Sequence, residues 1–263
     1  MLERRRRWSW LVRGYGVLVF VFFYLPLVLL ILFSFNRSEI GSFPITGFSL
    51  IWYHQLFEDL FVQSAFRNSL TVAAVATLIA TPVGTLGAFG LVRGQFRYKG
   101  LLTSLIVVPM VVPGLLIGIA LLIVFVPIFR LGLSLWTAAL GHVVILTPYA
   151  VLVVATRLYG FDRSLEAAAA DLGATPVRVF WHVTLPLVMP GILAAALIVF
   201  TLSLDQFGVT FFTIGAEGTL PMYIWAQIEG GVKPTINALG ALFMVGSLLV
   251  LFVAQGVLGR RER

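Results

Sequence analysis

Residues 161–186 read FDRSLEAAAADLGATPVRVFWHVTLP, a polar stretch in a chain that is otherwise largely apolar. Asp162 or Ser164 offers a side-chain acceptor to the free amides of a helix start. Glu166 to Ala170 is a run of strong helix formers. Gly173 suits the left-handed conformation that closes a helix. Thr175 then caps a second short helix, with Pro176 at its first position, where a missing amide costs nothing. The expectation is helix, glycine turn, helix, lying outside the membrane. Leu165, Ala168, Leu172 and Val179 are apolar on this water-exposed loop, which points to docking into another protein rather than to a plain connector.

The chain around this loop has 263 residues, 60% of them hydrophobic without glycine and 11% charged. A soluble domain reaches ~45–50% apolar with glycine counted and ~25% charged. Mean hydropathy is +1.02. So few charges cannot cover a water-soluble globule, and the apolar excess requires lipid. Zero cysteines exclude a disulfide-stapled fold and thiolate metal sites. A span takes ~20 apolar residues, and apolar windows fall at 15–35, 66–92, 101–128, 135–156, 184–212 and 236–258. The fold class is therefore all-α with six transmembrane helices. It forms a single domain over 1–263, with an N-terminal helix near 15–35, core helices across 66–258 and an inner loop near 157–183.

Orientation follows from Lys and Arg, which concentrate on the cytoplasmic side. With the N-terminus inside, the inner segments hold 14 of the 18 basic residues, from Arg4–Arg7 and Arg13 to Arg260, Arg261 and Arg263. Arg37, Arg67, Arg130 and Lys233 fall outside. Both termini are then cytoplasmic. The net charge of +7 reports topology, and nucleic acid is not an expected partner. Trp52 and Tyr53 are expected as interface aromatics. Pro26, Pro82, Pro109, Pro113, Pro148 and Pro190 each remove a backbone donor and tend to kink a helix. Pro109 and Pro113, four residues apart, suggest a broken or bent helix lining a cavity.

Catalytic patterns are missing. Neither lysine sits in a Gly-Lys-Ser/Thr phosphate loop, and His54, His142 and His182 lie in separate segments without metal-ligand spacing. No G-x-S-x-G or H-E-x-x-H occurs. The expectation is a non-catalytic chain that holds no cofactor, no metal and no ATP of its own. Energy has to come from a gradient or a partner.

The 161–186 stretch resembles the EAA loop of ABC-importer permeases, the binding-protein-dependent transport inner-membrane components. That pattern is Glu-Ala-Ala, three residues, Gly, nine residues, an aliphatic, one residue, Leu-Pro. Anchored on Gly173, it reaches Val183 and Leu185-Pro186. The front is offset by one residue: the family glutamate falls at Ala167, whereas the glutamate here is Glu166, ~100° away around a helix. Helix continuity, more than the Glu166 charge, is thus expected to carry coupling. The resemblance implies that Leu165, Glu166, Ala168, Asp171, Gly173, Val183, Leu185 and Pro186 couple to an ATPase. It extends over most of the chain toward the second permease of the spermidine/putrescine class, at Ser203-Leu204-Asp205-Gln206-Phe207, Thr210-Phe211-Phe212, Leu220-Pro221, Ile224-Trp225, Pro234 and Asn237-Ala238. It implies a type I importer fold in a bacterial inner membrane and a second homologous permease. It also implies two cytoplasmic ATPases carrying ATP and Mg, and an external solute-binding protein.

Asp205 is the one acid expected inside a span, where a charge costs ~3 kcal/mol or more unless it is used or paired. Read as one helix, Asp205 and Phe212 share a face. Asp205, Gln206, Phe211 and Phe212 together suit an ammonium or polyamine cation by charge and cation–π attraction. An acid buried against a partner subunit or at a helix end is the other reading. His142, Gln227, Asn237 and Gln255 read as interhelical hydrogen-bonding groups. The function expected is one half of the pathway of an ATP-driven polyamine importer. Alternatives are the same class with an opine, ferric ion, phosphonate or other amine, or a gradient-driven secondary transporter. The last would need inverted repeats or more intramembrane ionisable groups.

The loop reading carries its own test. Gly173→Val forces a β-branched residue toward positive φ and is expected to abolish uptake while the chain still inserts. Normal ATPase association and uptake in that variant would contradict the loop assignment.

Overall fold

A backbone in lipid satisfies its hydrogen bonds within helices or closed barrels, and the computed structural model is helical. It describes residues 2–39, 43–231 and 233–259, and side chains at 13–39, 43–231 and 233–246. Arg260, Arg261 and Arg263 of the charge count lie outside the described residues. The helices are α1 (Leu2–Ser34), α2 (Ile51–Glu58), α3 (Leu60–Arg93), α4 (Lys99–Val111), α5 (Gly114–Ile123) and α6 (Leu135–Tyr159). They continue as α7 (Ser164–Asp171), α8 (Pro176–Val179), α9 (Leu185–Leu204), α10 (Gly208–Thr213), α11 (Leu220–Glu229) and α12 (Pro234–Gly259). An isolated bridge joins Asn36 and Phe48.

Among the described residues, four helices are long and apolar enough to cross a membrane: Arg13–Ser34, Leu60–Arg93, Leu135–Tyr159 and Pro176–Leu204. Lys99–Val111 and Gly114–Ile128 add a fifth if a 103° bend is counted within one crossing. In the sixth window, the part of α12 whose side chains are described, Pro234–Gly246, is apolar.

The chain divides into two compact units. The first joins Met1–Gln63 to Ile224–Arg263, with α12 packed against both α1 and α2. Gly240 meets Leu30 closely, since a Cβ there would stand 3.1 Å from Leu30 Cδ1. Trp52, expected as an interface aromatic, is buried, and its indole N–H donates to the Asn36 carbonyl at 2.6 Å. Tyr53 shares a 2.7 Å hydroxyl contact with Ser34. Both residues fasten α2 to the end of α1.

The second unit, Ser64–Tyr223, is built around α6. Its core combines Ala80 and Ala88 of α3 with Ile145, Ala150, Val151 and Val154 of α6. Val188, Ala195 and Val199 of α9 and Val209 of α10 complete it. Small residues set the helix separations, as they do between membrane helices. A Cβ on Gly84 would fall 2.4 Å from the Ala150 Cβ, and one on Gly141 2.7 Å from Val209.

The prolines behave unequally. Pro26, Pro82, Pro109, Pro148 and Pro190 lie inside unbroken helices. Pro113 coincides with the sharp bend, as the spacing suggested. A residue before proline is pushed out of the α region, and Val112 is extended at ψ 131° with Pro113 at ψ 132°. Two expectations are corrected. The second helix of the polar loop is not short, because a π-helical turn at Phe180–Thr184 joins α8 to α9 in one helix from Pro176 to Leu204. That widened turn sits where Pro186 leaves a carbonyl without a donor and its ring needs room. The fifth window also does not run helically to 212, since α9 stops at Leu204.

Gly84→Ala is expected to lower the thermal midpoint of the detergent-solubilised protein through overpacking of ~1–3 kcal/mol. Gly90→Ala, where a Cβ meets nothing within 4 Å, is expected to hold or raise it by the helix preference for alanine. Equal midpoints for the two variants would refute the close α3–α6 contact.

Candidate functional site

Two places hold the predicted site residues. The first is the polar loop. Asp162, not Ser164, serves the helix start: its carboxylate accepts from the Ser164 backbone N–H at 2.9 Å. That bond holds the Asp162 carboxyl below its usual range. At the other end of α7, Gly173 adopts φ +84°. The Ala174 N–H reaches the Ala169 carbonyl at 3.1 Å and the Gly173 N–H reaches Ala170 at 2.8 Å, the bond pair of a left-handed glycine helix stop. Thr175 then accepts from the Arg178 N–H, with Pro176 at the first helical position.

Glu166 departs from expectation. Its carboxylate takes a 2.5 Å bond from Arg93 at the end of α3 and a second from the Thr184 hydroxyl in the π-turn. Arg93 in turn lies over the Phe89 ring at 5.1 Å and the Phe161 ring at 5.9 Å. The one-residue offset therefore does not deprive the glutamate of an ion pair. Partial burial pushes the Glu166 pKa up, but bonds from Thr184 and Arg93, with the charges of Arg93 and Arg163, outweigh it and the net shift is downward. A lowered folded pKa gives stability that is full above the ordinary carboxyl range and is lost as pH falls through the folded value. The clamp is intact at neutral pH. A groove of about 320 Å³ lies beside it, lined by Ala170, Ala174, Pro176, Val179 and Phe180 among others.

The remaining coupling candidates flank this clamp. Leu165, Ala168 and Asp171 are exposed on α7, Leu172 is 90% exposed at the turn and Val177 is 67% exposed beyond it. Val183 is half-buried in the π-turn, while Leu185 and Pro186 open α9. Sequence reasoning missed Arg93 and Thr184. Arg93 counted only toward orientation, and nothing local in the sequence ties it to Glu166, 73 positions away.

The second place is the interruption after α9. Asp205 is the cap residue of α9 and is exposed, not buried in a continuous span. No hydrogen bond or ion pair engages its carboxylate among the described residues. Residues 205–207 are non-helical, so Asp205 and Phe212 do not share one helix face. The rings of Phe207 and Phe211 lie 5.4 Å apart, and those of Phe211 and Phe212 5.1 Å apart. Phe211 is 47% exposed, whereas Phe212 faces α5, its ring 3.0 Å from where a Gly118 Cβ would stand. Gln206 stands by the other bend: its Nε2 is 3.2 Å from a Cβ built on Gly114. A Cβ on Gly208 would come 2.8 Å from the Leu115 nitrogen, so the two interrupted helices meet backbone to backbone. Asp205 and Gln206 lie in this junction, Phe211 meets Phe207 beside it, and Phe212 packs against α5. Among the described residues, no group of three or more His, Asp or Glu side chains converges to hold a metal ion.

Residues 80–263 match the family described as binding-protein-dependent transport system inner membrane component. The putrescine transport system permease protein PotI of Escherichia coli (strain K12) is 39% identical over 242 residues, covering 88% of this chain and 85% of that protein. The spermidine/putrescine transport system permease protein PotC of Haemophilus influenzae is 35% identical over 224 residues, covering 84% of this chain and 86% of that protein. A chain from the crystal structure of a bacterial ABC transporter that imports the acidic polysaccharide alginate superposes with a TM-score of 0.75 at 16% identity. The match spans 100% of this chain and 99% of that one.

Replacing Glu166 by Gln or Arg93 by Gln is expected to raise amide exchange across residues 165–172 about tenfold, the equivalent of ~1.4 kcal/mol. The double variant is expected to add little further. Fully additive effects would show that the pair does not hold α7.

Proposed function

The chain belongs to the binding-protein-dependent transport system inner membrane component family, and on that premise we propose that it forms one half of the translocation path of an ATP-driven polyamine importer. Its likeness to putrescine and spermidine/putrescine permeases over most of its length carries this reading. The multi-pass chain crosses the bacterial inner membrane six times with both termini in the cytoplasm, the arrangement favoured by the distribution of its basic residues. The loop around α7 and α8 then faces the cytoplasm. There its apolar tip docks on one of two ATPase subunits, which bind ATP and Mg and perform the hydrolysis. A second homologous permease completes the path, and an extracytoplasmic binding protein delivers the solute. The chain itself is not catalytic.

The chemistry of the 205–211 segment suits that cargo. A polyamine carries several ammonium groups on a flexible apolar stem. The unpaired Asp205 carboxylate supplies attraction, and the exposed Phe211 ring supplies a cation–π face. One screened contact of this sort is modest, which favours passage over trapping. ATP-driven closure of the ATPases moves the loop, and the helix Pro176–Leu204 carries that movement to the Asp205 junction.

In proteoliposomes holding the whole importer, labelled putrescine and spermidine are expected to accumulate with ATP. In Asp205→Asn, uptake at sub-saturating solute is expected to fall about fivefold, or ~1 kcal/mol, with the complex recovered in normal yield. Wild-type uptake in that variant would remove Asp205 from the path. Loss of the complex would move it to an interface, and no polyamine uptake by the native importer would sink the assignment of cargo.

A further inference from the structure

The two sides of the Asp205 junction are bridged by one imidazole. His142, about two turns into α6, is 1% exposed. Its Nδ1 lies 2.7 Å from the Ser203 hydroxyl in the last turn of α9, and its Nε2 lies 2.7 Å from the Thr210 hydroxyl in the first turn of α10. The two hydroxyls flank the non-helical residues 205–207. Thr210 also donates to the Gln206 carbonyl at 2.5 Å. A hydroxyl has one proton to give, so Thr210 accepts from the Nε2–H. Nδ1 is then the acceptor, and Ser203 donates to it. Both ring nitrogens of a neutral imidazole are thereby used, and each bond fixes one side of the interruption. The Gln206 carbonyl, freed where the helix ends, is satisfied through the same chain of bonds.

We propose that His142 is a positioning residue for solute recognition: through Ser203 and Thr210 it sets the direction in which the 205–207 segment presents the Asp205 carboxylate. This rests on the reading of Asp205 as the cation contact. His142 does not touch the solute, because it is enclosed. Leucine of similar size fills the space without either bond. Glutamine offers an acceptor and a donor at a spacing close to that of the two ring nitrogens, and so restores the bridge.

The chain has no cysteine, so Asp205→Cys gives a single thiol on this subunit. In the assembled importer, its modification rate by a cationic methanethiosulfonate is expected to change at least fivefold when His142→Leu is added, and to stay within twofold with His142→Gln. This arm needs no knowledge of the cargo. With native Asp205, His142→Leu is expected to raise the half-saturating putrescine concentration about tenfold at a nearly unchanged maximal rate, and His142→Gln to restore it. An unchanged modification rate in His142→Leu overturns the proposal. So does an equal shift in both variants, a fall in maximal rate alone, or loss of the complex in both. If the native importer takes up no polyamine, the cargo reading fails, while the modification rates still decide the role of His142.

Discussion

Every backbone amide and carbonyl inside a bilayer needs a partner within the protein, because hydrocarbon offers none. That constraint governs where this chain stops being helical. It interrupts its helices at Val112–Pro113 and at Asp205–Phe207, and the two interruptions face each other across α5 and α10. Glycines at 114, 118 and 208 let the backbones approach closely, and the Thr210 hydroxyl meets the freed Gln206 carbonyl. A larger residue at Gly118 or Gly208 would meet backbone below 3 Å and separate the helices, and the breaks would lose their neighbours. Both interruptions lie in the second unit.

A second consequence is mechanical. The polar loop and the Asp205 junction lie at opposite ends of one helix, Pro176–Leu204, of 29 residues, or ~43 Å at 1.5 Å per residue. At the loop end, Thr184 joins the helix to Glu166, and Glu166 to Arg93 on α3. A motion of α7 would thus reach two long helices together. One of them leads to the proposed solute contact without any intervening loop to absorb it.

Much of this was legible in the sequence, for reasons of scale. The apolar windows are long because lipid demands it; among the described residues four match helices long enough and apolar enough to cross a membrane, and a fifth matches the bent pair. The Gly173 stop, the Thr175–Pro176 start and the Pro113 bend are local, each decided within a few residues. What could not be read depends on distant partners or on one helix passing through two environments. Arg93 and Glu166 meet only in the folded chain. Trp52 looked like an interface anchor until a carbonyl 16 positions away claimed its indole. Arg178 and His182 break the hydropathy signal between loop and span although the helix continues through both. Conversely, Phe207, Phe211 and Phe212 prolong the apolar signal after helix α9 has ended, which concealed the exposure of Asp205.

The tip of the polar loop has an implication for biogenesis. Leu172 and Val177 stand largely uncovered beside the left-handed glycine, on a polar loop. Apolar groups left in water favour self-association. A subunit synthesised without the proposed ATPase partner would therefore display a sticky knob to chaperones and proteases, and burial of that knob would be the signal that assembly is complete. The same two side chains proposed to serve docking would then make the orphan subunit short-lived, tying its abundance to that of its partner.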